Sequence, residues 1–110
     1  MPKYLEPVFR ALAHPTRRAV VERLGRGPAG TTELARPFHV ALPSFLEHME
    51  ILESSGLVRS RKHGRVRVWR LAPRPLAAAE GWLATQRASW ERRLDQLDDY
   101  LQEMDEKSPT

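Results

Sequence analysis

Hydrophobic and polar residues follow two different periods along the chain, and the change of period separates helices from a hairpin. Apolar residues recur at helical spacing in five segments, which predicts helices at about 4–13, 16–24, 32–36, 43–55 and 76–107. Pro15 and Pro43 suit the first positions of two of these helices, where a missing N–H is not needed. Thr31 is predicted to cap the third helix with its hydroxyl group.

Between the fourth and fifth helices the period becomes two. Segments 57–63 and 65–71 alternate around Gly64, a pattern typical of two antiparallel strands joined by a tight turn. The chain is therefore predicted to be mainly α with a small β-hairpin, in a single winged helix-turn-helix domain over residues 1–110. Its parts are a helix-turn-helix at about 31–55, a wing at about 57–71 and a C-terminal dimerisation helix at about 75–106.

The last predicted helix carries a row of large apolar residues, here called the seam: Trp90, Leu94, Leu97, Leu101 and Met104. Their alternating spacing of four and three residues is typical of a helix that packs along another helix. An exposed stripe of this length would be a liability for a monomer, so we predict a homodimer formed by the terminal helices. The predicted interface residues are Tyr4, Val8, Phe9, Trp82, Trp90, Leu94, Leu97 and Leu101.

Charge is concentrated in the predicted wing. The chain has a net charge of +4, and segment 59–74 holds seven Lys or Arg residues without one acidic residue. A merely solvated face usually mixes both signs, whereas cations gathered on a two-stranded element suit the phosphate backbone of a nucleic acid. The wing residues that we expect to contact double-stranded DNA are Arg61, Lys62, His63, Arg65 and Arg67.

Several classes of protein are disfavoured by the residues. The absence of cysteine excludes disulfides and thiolate metal sites, and the four histidines lie in four different predicted segments. We therefore expect no metal and no cofactor. No glycine loop suited to phosphate and no persuasive set of serine, histidine and acid is present, so we expect no enzymatic activity. Without an apolar leader or span, the chain is expected to be cytoplasmic, with no membrane partner.

Particular residues resemble those of the ArsR (arsenic-repressor) family of bacterial transcriptional regulators. The similar segments are Phe9–Arg18, Thr32–Ala35, Leu42–Pro43, His48, Leu52–Glu53 and Ser55–Val58. The resemblance covers roughly residues 5–72 and the layout of the last helix. It implies a homodimeric winged-helix protein that binds operator DNA as a repressor, in a family where many members release DNA when a metal or other inducer binds.

The predicted recognition helix departs from the family pattern. Positions 46, 47 and 50 are commonly serine and two basic residues, whereas here they are Leu, Glu and Glu. Phosphates would repel this acidic helix, so it would have to gain its favourable contacts from the bases. The carboxylate of Glu47 can accept a hydrogen bond from the cytosine amino group, and Leu46 can contact a thymine methyl group. His48 has two open interpretations, a phosphate or base contact and a hydrogen-bonded histidine at the core edge. The predicted DNA contacts on this helix are Ser44, Leu46, Glu47 and His48.

These features together favour a sequence-specific DNA-binding transcriptional regulator. The resemblance implies a repressor that acts as a homodimer, and two-fold symmetry then predicts a pseudo-palindromic operator. Two alternatives stay open. One is a winged-helix protein-interaction module that no longer binds DNA specifically and uses its acidic helix to dock on a basic partner. The other is an architectural protein that binds DNA with little specificity. No residue pattern identifies an inducer.

Overall fold

The structure, a computed structural model, describes residues 1–107 of the 110-residue chain. The chain divides into two compact units, one spanning residues 1–79 and the other beginning at Glu80. The helices are α1 (Glu6–Ala11), preceded by a short 3-10 helix (Lys3–Leu5), α2 (Pro15–Leu24), α3 (Thr31–Ala35), α4 (Leu42–Ser54) and α5 (Pro73–Lys107). The strands are β1 (Ala29–Gly30), β2 (Val58–His63) and β3 (Val66–Leu71). The predicted class, mainly α with a small β element, is confirmed.

The sheet has three strands rather than the two of the predicted hairpin. Strands β2 and β3 pair antiparallel from Val58 opposite Leu71 to His63 opposite Val66. Gly64 turns the chain between them with a φ of +63°, a conformation that glycine adopts without steric cost. On the other side of β3, Ala29 and Gly30 pair antiparallel with Trp69 and Val68. A strand of two residues is too short to show alternation, so the sequence predicted a loop there.

The core of the first unit lies between the helices and one face of the sheet. From α4, the side chains of Phe45, Met49 and Leu52 are fully buried, as their spacing of four and three residues predicts. Other large side chains that are fully or almost completely buried include Leu5, Val8, Val20, Leu34, Leu57 and Val58. Packing of α4 through this single face leaves its opposite face exposed.

The predicted cap on α3 is wrong. The helix begins at Thr31 itself, follows Gly30, and has no side-chain cap. The Thr31 hydroxyl oxygen instead accepts a hydrogen bond of 2.8 Å from Nε1 of Trp69 on β3. Trp69 is only 4% exposed, and a buried indole N–H left without an acceptor would cost stability. Thr31 therefore joins the start of α3 to the sheet.

The last helix begins earlier than the sequence predicts. Pro73 and Pro75, which the sequence placed in the link after the hairpin, lie in the first turn of α5, where backbone N–H groups have no partner within a helix. The second unit continues this helix from Glu80. Among the described residues, no helix combines the length and the apolarity that crossing a membrane requires.

Candidate nucleic-acid interface

Helices α3 and α4 form the helix-turn-helix, with residues 36–41 as the connection between them. Pro43 lies in the first turn of α4, and Phe45, Met49 and Leu52 anchor that helix to the core. The predicted base-reading residues Ser44, Leu46 and Glu47 all lie exposed on the remaining surface of α4. Leu46 keeps 41% of its surface accessible, which leaves an apolar contact available.

The exposed side of α4 borders a groove of about 360 Å³ that separates the helix from the sheet. Three glutamates and one arginine carry the charge of this groove. Its lining residues are Pro43, Leu46, Glu47, Glu50, Glu53, Arg67 and Trp69. The exposed face of α4 is therefore acidic, and it offers few attractive contacts to an anion.

A chain of hydrogen bonds crosses from the wing to α4. Nη1 of Arg67 on β3 donates to the Ser60 hydroxyl oxygen on β2 at 2.9 Å, and that hydroxyl group donates to Oε2 of Glu53 at 2.7 Å. Arg67 was predicted to contact DNA, but its guanidinium group already has a partner inside the protein. Neither Glu53 nor Ser60 was among the residues predicted to contact DNA. Alternation places Ser60 and Arg67 on the same sheet face, but their approach to α4 depends on tertiary packing.

The other predicted wing residues surround the turn at Gly64. Arg61, Lys62, His63 and Arg65 are all exposed. Arg61 and His63 lie on one face of the sheet, Lys62 lies on the other, and Arg65 follows the turn. None of these four side chains has a hydrogen bond or ion pair within residues 1–107. Their donors and charges are free to contact a partner.

His48 has a partner within the protein. Its Nδ1 lies 3.1 Å from Nη1 of Arg17, which is half-buried. Arg17 also donates to the carbonyl oxygens of Ala11 at 2.7 Å and Arg10 at 3.2 Å. Because a guanidinium group only donates, Nδ1 of His48 accepts and Nε2 carries the proton of the neutral ring. Arg17 thus ties α4 to α1 and α2.

A second histidine completes this cluster. The rings of His14 and His48 have centroids 4.4 Å apart, and Nδ1 of His14 accepts a 3.1 Å hydrogen bond from the Thr16 N–H at the start of α2. Burial lowers the pKa of His48, and the nearby His14 and Arg17 lower it further, against an opposing effect of Glu47. His48 is therefore held neutral at the core edge, as one of its two interpretations states. A DNA contact through its Nε2–H stays a prediction.

The predicted dimer residues differ in exposure. In the first unit, Tyr4 is 67% exposed and Phe9 is half-buried, whereas Val8 is 1% exposed and already packed in the core, so its side chain has almost no surface to offer a partner. In the second unit Trp82 is half-buried. The seam residues Trp90, Leu94, Leu97, Leu101 and Met104 are each more than half exposed in the single chain.

No group of three or more histidines, aspartates or glutamates within residues 1–107 is arranged to hold a metal ion. The close pair His14 and His48 uses both of its Nδ1 atoms for hydrogen bonds to the protein.

Comparison with known proteins agrees with this geometry. A model of a helix-turn-helix domain, HTH_20, matches residues 12–61. The chain is 44% identical over 80 residues to the HTH-type transcriptional regulator Rv2034 of Mycobacterium tuberculosis, a match covering 71% of this chain and 75% of the relative. It is 37% identical over 70 residues to the HTH-type transcriptional repressor SmtB of the same species, covering 64% of this chain and 52% of the relative.

Among solved structures, the chain is similar to the crystal structure of an ArsR family transcriptional regulator. The two are 53% identical in sequence and superpose with a TM-score of 0.79. The match covers 83% of this chain and 94% of that one. The similarity therefore extends over nearly the whole of the solved protein.

Proposed function

We propose a function for this chain on the basis of its family: it belongs to the ArsR family of winged helix-turn-helix transcriptional regulators. The resemblance and the fold that the sequence indicated are confirmed. We infer that the protein binds double-stranded DNA sequence-specifically as a homodimer and represses transcription from a pseudo-palindromic operator. The observation that carries this proposal is the set of exposed, unpartnered cations around Gly64, on a hairpin that follows a helix-turn-helix.

Affinity and specificity come from different elements under this proposal. Helix α4 carries three glutamates and no lysine or arginine, so it gains nothing from phosphates. Its exposed Leu46 and Glu47 suit a thymine methyl group and a cytosine amino group. The cations of the wing supply the attraction to phosphates and the salt dependence that accompanies it.

The hydrogen-bond chain from Arg67 through Ser60 to Glu53 supports this division of roles. It joins the wing to the reading helix by two bonds of 2.9 and 2.7 Å. Phosphate contacts by the wing therefore fix the register in which α4 meets the bases. The same bonds engage the carboxylate of Glu53, one of the three glutamates of α4.

The homodimer is supported by the exposed seam on α5. A row of large apolar side chains in water is unfavourable for a monomer, and packing against a second copy removes it from solvent. A two-fold dimer presents two copies of α4 and two wings. The operator half-sites are therefore expected to be roughly 10 base pairs apart, centre to centre.

Selection of bound duplexes from a random pool tests the proposal directly. We expect an enriched pseudo-palindromic sequence that competes at least tenfold better than random duplex at moderate salt. Enrichment without two-fold symmetry would contradict the dimeric reading. Equal binding of all duplexes would contradict the sequence-specific one and favour an architectural protein.

A second candidate function rests on the acidic exposed face of α4. A winged-helix module that docks on a basic protein partner uses the same fold without reading DNA. Failure to bind heparin and duplex DNA at moderate salt would favour this alternative. Under the main proposal the protein acts in the cytoplasm as a regulator and not as an enzyme.

A further inference from the structure

Two arginines lie directly opposite each other at the base of the wing. Arg59 on β2 pairs in register with Arg70 on β3, so both side chains lie on the same face of the sheet. Both are exposed, and neither belongs to the set around Gly64 that was assigned to DNA. Like charges directly opposite across two strands destabilise a sheet, and neither arginine has an ion pair within residues 1–107.

A third arginine extends the pair. Arg74, in the first turn of α5, lines a groove of about 820 Å³ together with Arg59 and Arg70, and we call this the arginine groove. That first turn contains no acidic residue, so the positive end of a long helix adds to the same field. The groove is large enough for a small-molecule ligand, for which pockets of about 300–1,000 Å³ are usual.

The three guanidinium groups have no partner of their own. Within residues 1–107, none of Arg59, Arg70 and Arg74 makes a side-chain hydrogen bond or an ion pair. Among the described residues that line the groove, Glu53 supplies the carboxylate, and it already accepts the hydrogen bond from Ser60. The arginine groove therefore combines a high positive charge with many unsatisfied donors.

We propose that Arg59, Arg70 and Arg74 bind a phosphate group in the arginine groove. Guanidinium groups match phosphate oxygens through paired, charge-assisted hydrogen bonds, and three of them suit a group that carries more than one negative charge. Binding also removes the repulsion between Arg59 and Arg70. The phosphate belongs either to a phosphorylated small molecule or to the backbone of bound DNA, and only the second source rests on the function proposed above.

The first experiment measures binding of inorganic pyrophosphate to the full chain by calorimetry at constant ionic strength. We expect saturable binding that weakens at least about tenfold in R59Q/R70Q. The variant K3Q/R92Q loses the same charge at exposed positions outside the groove and should bind like the unmodified chain. An equal loss in both variants would show attraction to bulk charge and overturn the site.

Two further variants separate the paired geometry from charge and from folding. R59K/R70K keeps the charge but not the guanidinium fork, so it should bind pyrophosphate more weakly than the unmodified chain. Full binding by this variant would overturn the proposed recognition. Circular dichroism of each variant should match that of the unmodified chain. If R59Q/R70Q does not fold, R74Q alone must weaken pyrophosphate binding, and unchanged binding by R74Q overturns the proposal.

The second experiment identifies the source of the phosphate. It measures the salt dependence of duplex binding by the unmodified chain, R59Q/R70Q and K3Q/R92Q. A slope that decreases by about one to two in R59Q/R70Q alone, without pyrophosphate binding to the unmodified chain, assigns the site to backbone phosphate of DNA. Pyrophosphate binding with an unchanged slope assigns it to a small molecule. If the unmodified chain does not bind pyrophosphate and the salt slope of R59Q/R70Q is unchanged, the phosphate site is overturned. Binding of duplex DNA by the unmodified chain would in that case still support the proposed DNA-binding function.

Discussion

The hydroxyl group of Ser60 on the wing donates a 2.7 Å hydrogen bond to the carboxylate of Glu53 on the recognition helix. The same hydroxyl oxygen accepts from Arg67 at 2.9 Å, so one small side chain joins a cation of the wing to an acid of the helix. Wing and helix are the two elements that a winged helix-turn-helix protein applies to DNA. Their relative position is therefore controlled from within the protomer, before any DNA is bound.

Replacing this hydroxyl tests the connection. S60A removes both hydrogen bonds, and because a net hydrogen bond contributes about 0.5–1.5 kcal/mol, we expect the free energy of unfolding in urea to decrease by about 1 kcal/mol. Binding to the selected operator should weaken more than binding to random duplex, since the register of α4 is loosened. The matched variant S54A changes an exposed serine of α4 without a side-chain hydrogen bond, and its stability should not decrease. Equal stability of S60A and S54A would contradict the connection.

The turn of the wing should control affinity without controlling sequence preference. K62Q/R65Q removes two exposed cations that have no partner in the protein. We expect weaker binding to every duplex and a salt slope reduced by about one to two, because fewer counterions are released. Fluorescence anisotropy at several salt concentrations measures both quantities. An unchanged salt slope for K62Q/R65Q would show that these wing residues do not contact DNA phosphates.

Glu47 should affect preference more than affinity. E47A removes an exposed acceptor on the reading face, so the base preferred at one position of each half-site should relax. E50Q removes the same charge from the same groove and should raise binding to all duplexes without changing the preferred sequence. Repeating the random-pool selection with each variant measures the difference. If E47A and the unmodified chain select the same consensus sequence, Glu47 does not contact a base.

Stability should fall on mild acidification. The pKa of His48 is lowered below the ordinary value of 6.5 by burial and by His14 and Arg17, while Glu47 opposes the shift. The unfolded chain therefore takes up this proton first, and stability decreases as the pH falls through 6.5 toward the lowered pKa of the folded state.

A glutamine at position 48 checks the assignment. H48Q keeps an acceptor for Arg17 but cannot titrate, so urea unfolding should depend less on pH between about 7.5 and 5 than in the unmodified chain. H39Q, at an exposed histidine of the turn before α4, should retain the full dependence. The same pH dependence in H48Q and the unmodified chain would show that another group is responsible.

The seam should decide the oligomeric state. Leu97 is 51% exposed in the single chain, and L97E places a charge where an apolar partner surface is proposed. We expect light scattering to show a monomer and operator binding to become much weaker, because two half-sites are no longer bound together. Q102E adds the same charge at an exposed position beside the seam and should remain dimeric. If L97E remains dimeric, the dimer interface does not include the seam at Leu97.

The sequence by itself determined the elements whose patterns are local. Phe45, Met49 and Leu52 recur at helical spacing, and burial of that face follows from the period alone. The wing could also be predicted from the sequence, because alternation on both sides of Gly64 indicates two strands that turn at that glycine. The exposed side of α4 follows from the same argument, since a helix buried on one side leaves Ser44, Leu46 and Glu47 on the other.

Only the tertiary structure decided which distant side chains meet. Strand β1 forms by pairing with the edge of β3. The Thr31 hydroxyl group accepts a hydrogen bond from Trp69 instead of capping its own helix. Arg17 reaches His48 over 31 positions of sequence, and Ser60 on the wing reaches Glu53 on α4. Such contacts depend on how packed elements approach one another, and a local period contains no information about that distance. The acidic helix α4 is thereby joined to the basic wing by two hydrogen bonds.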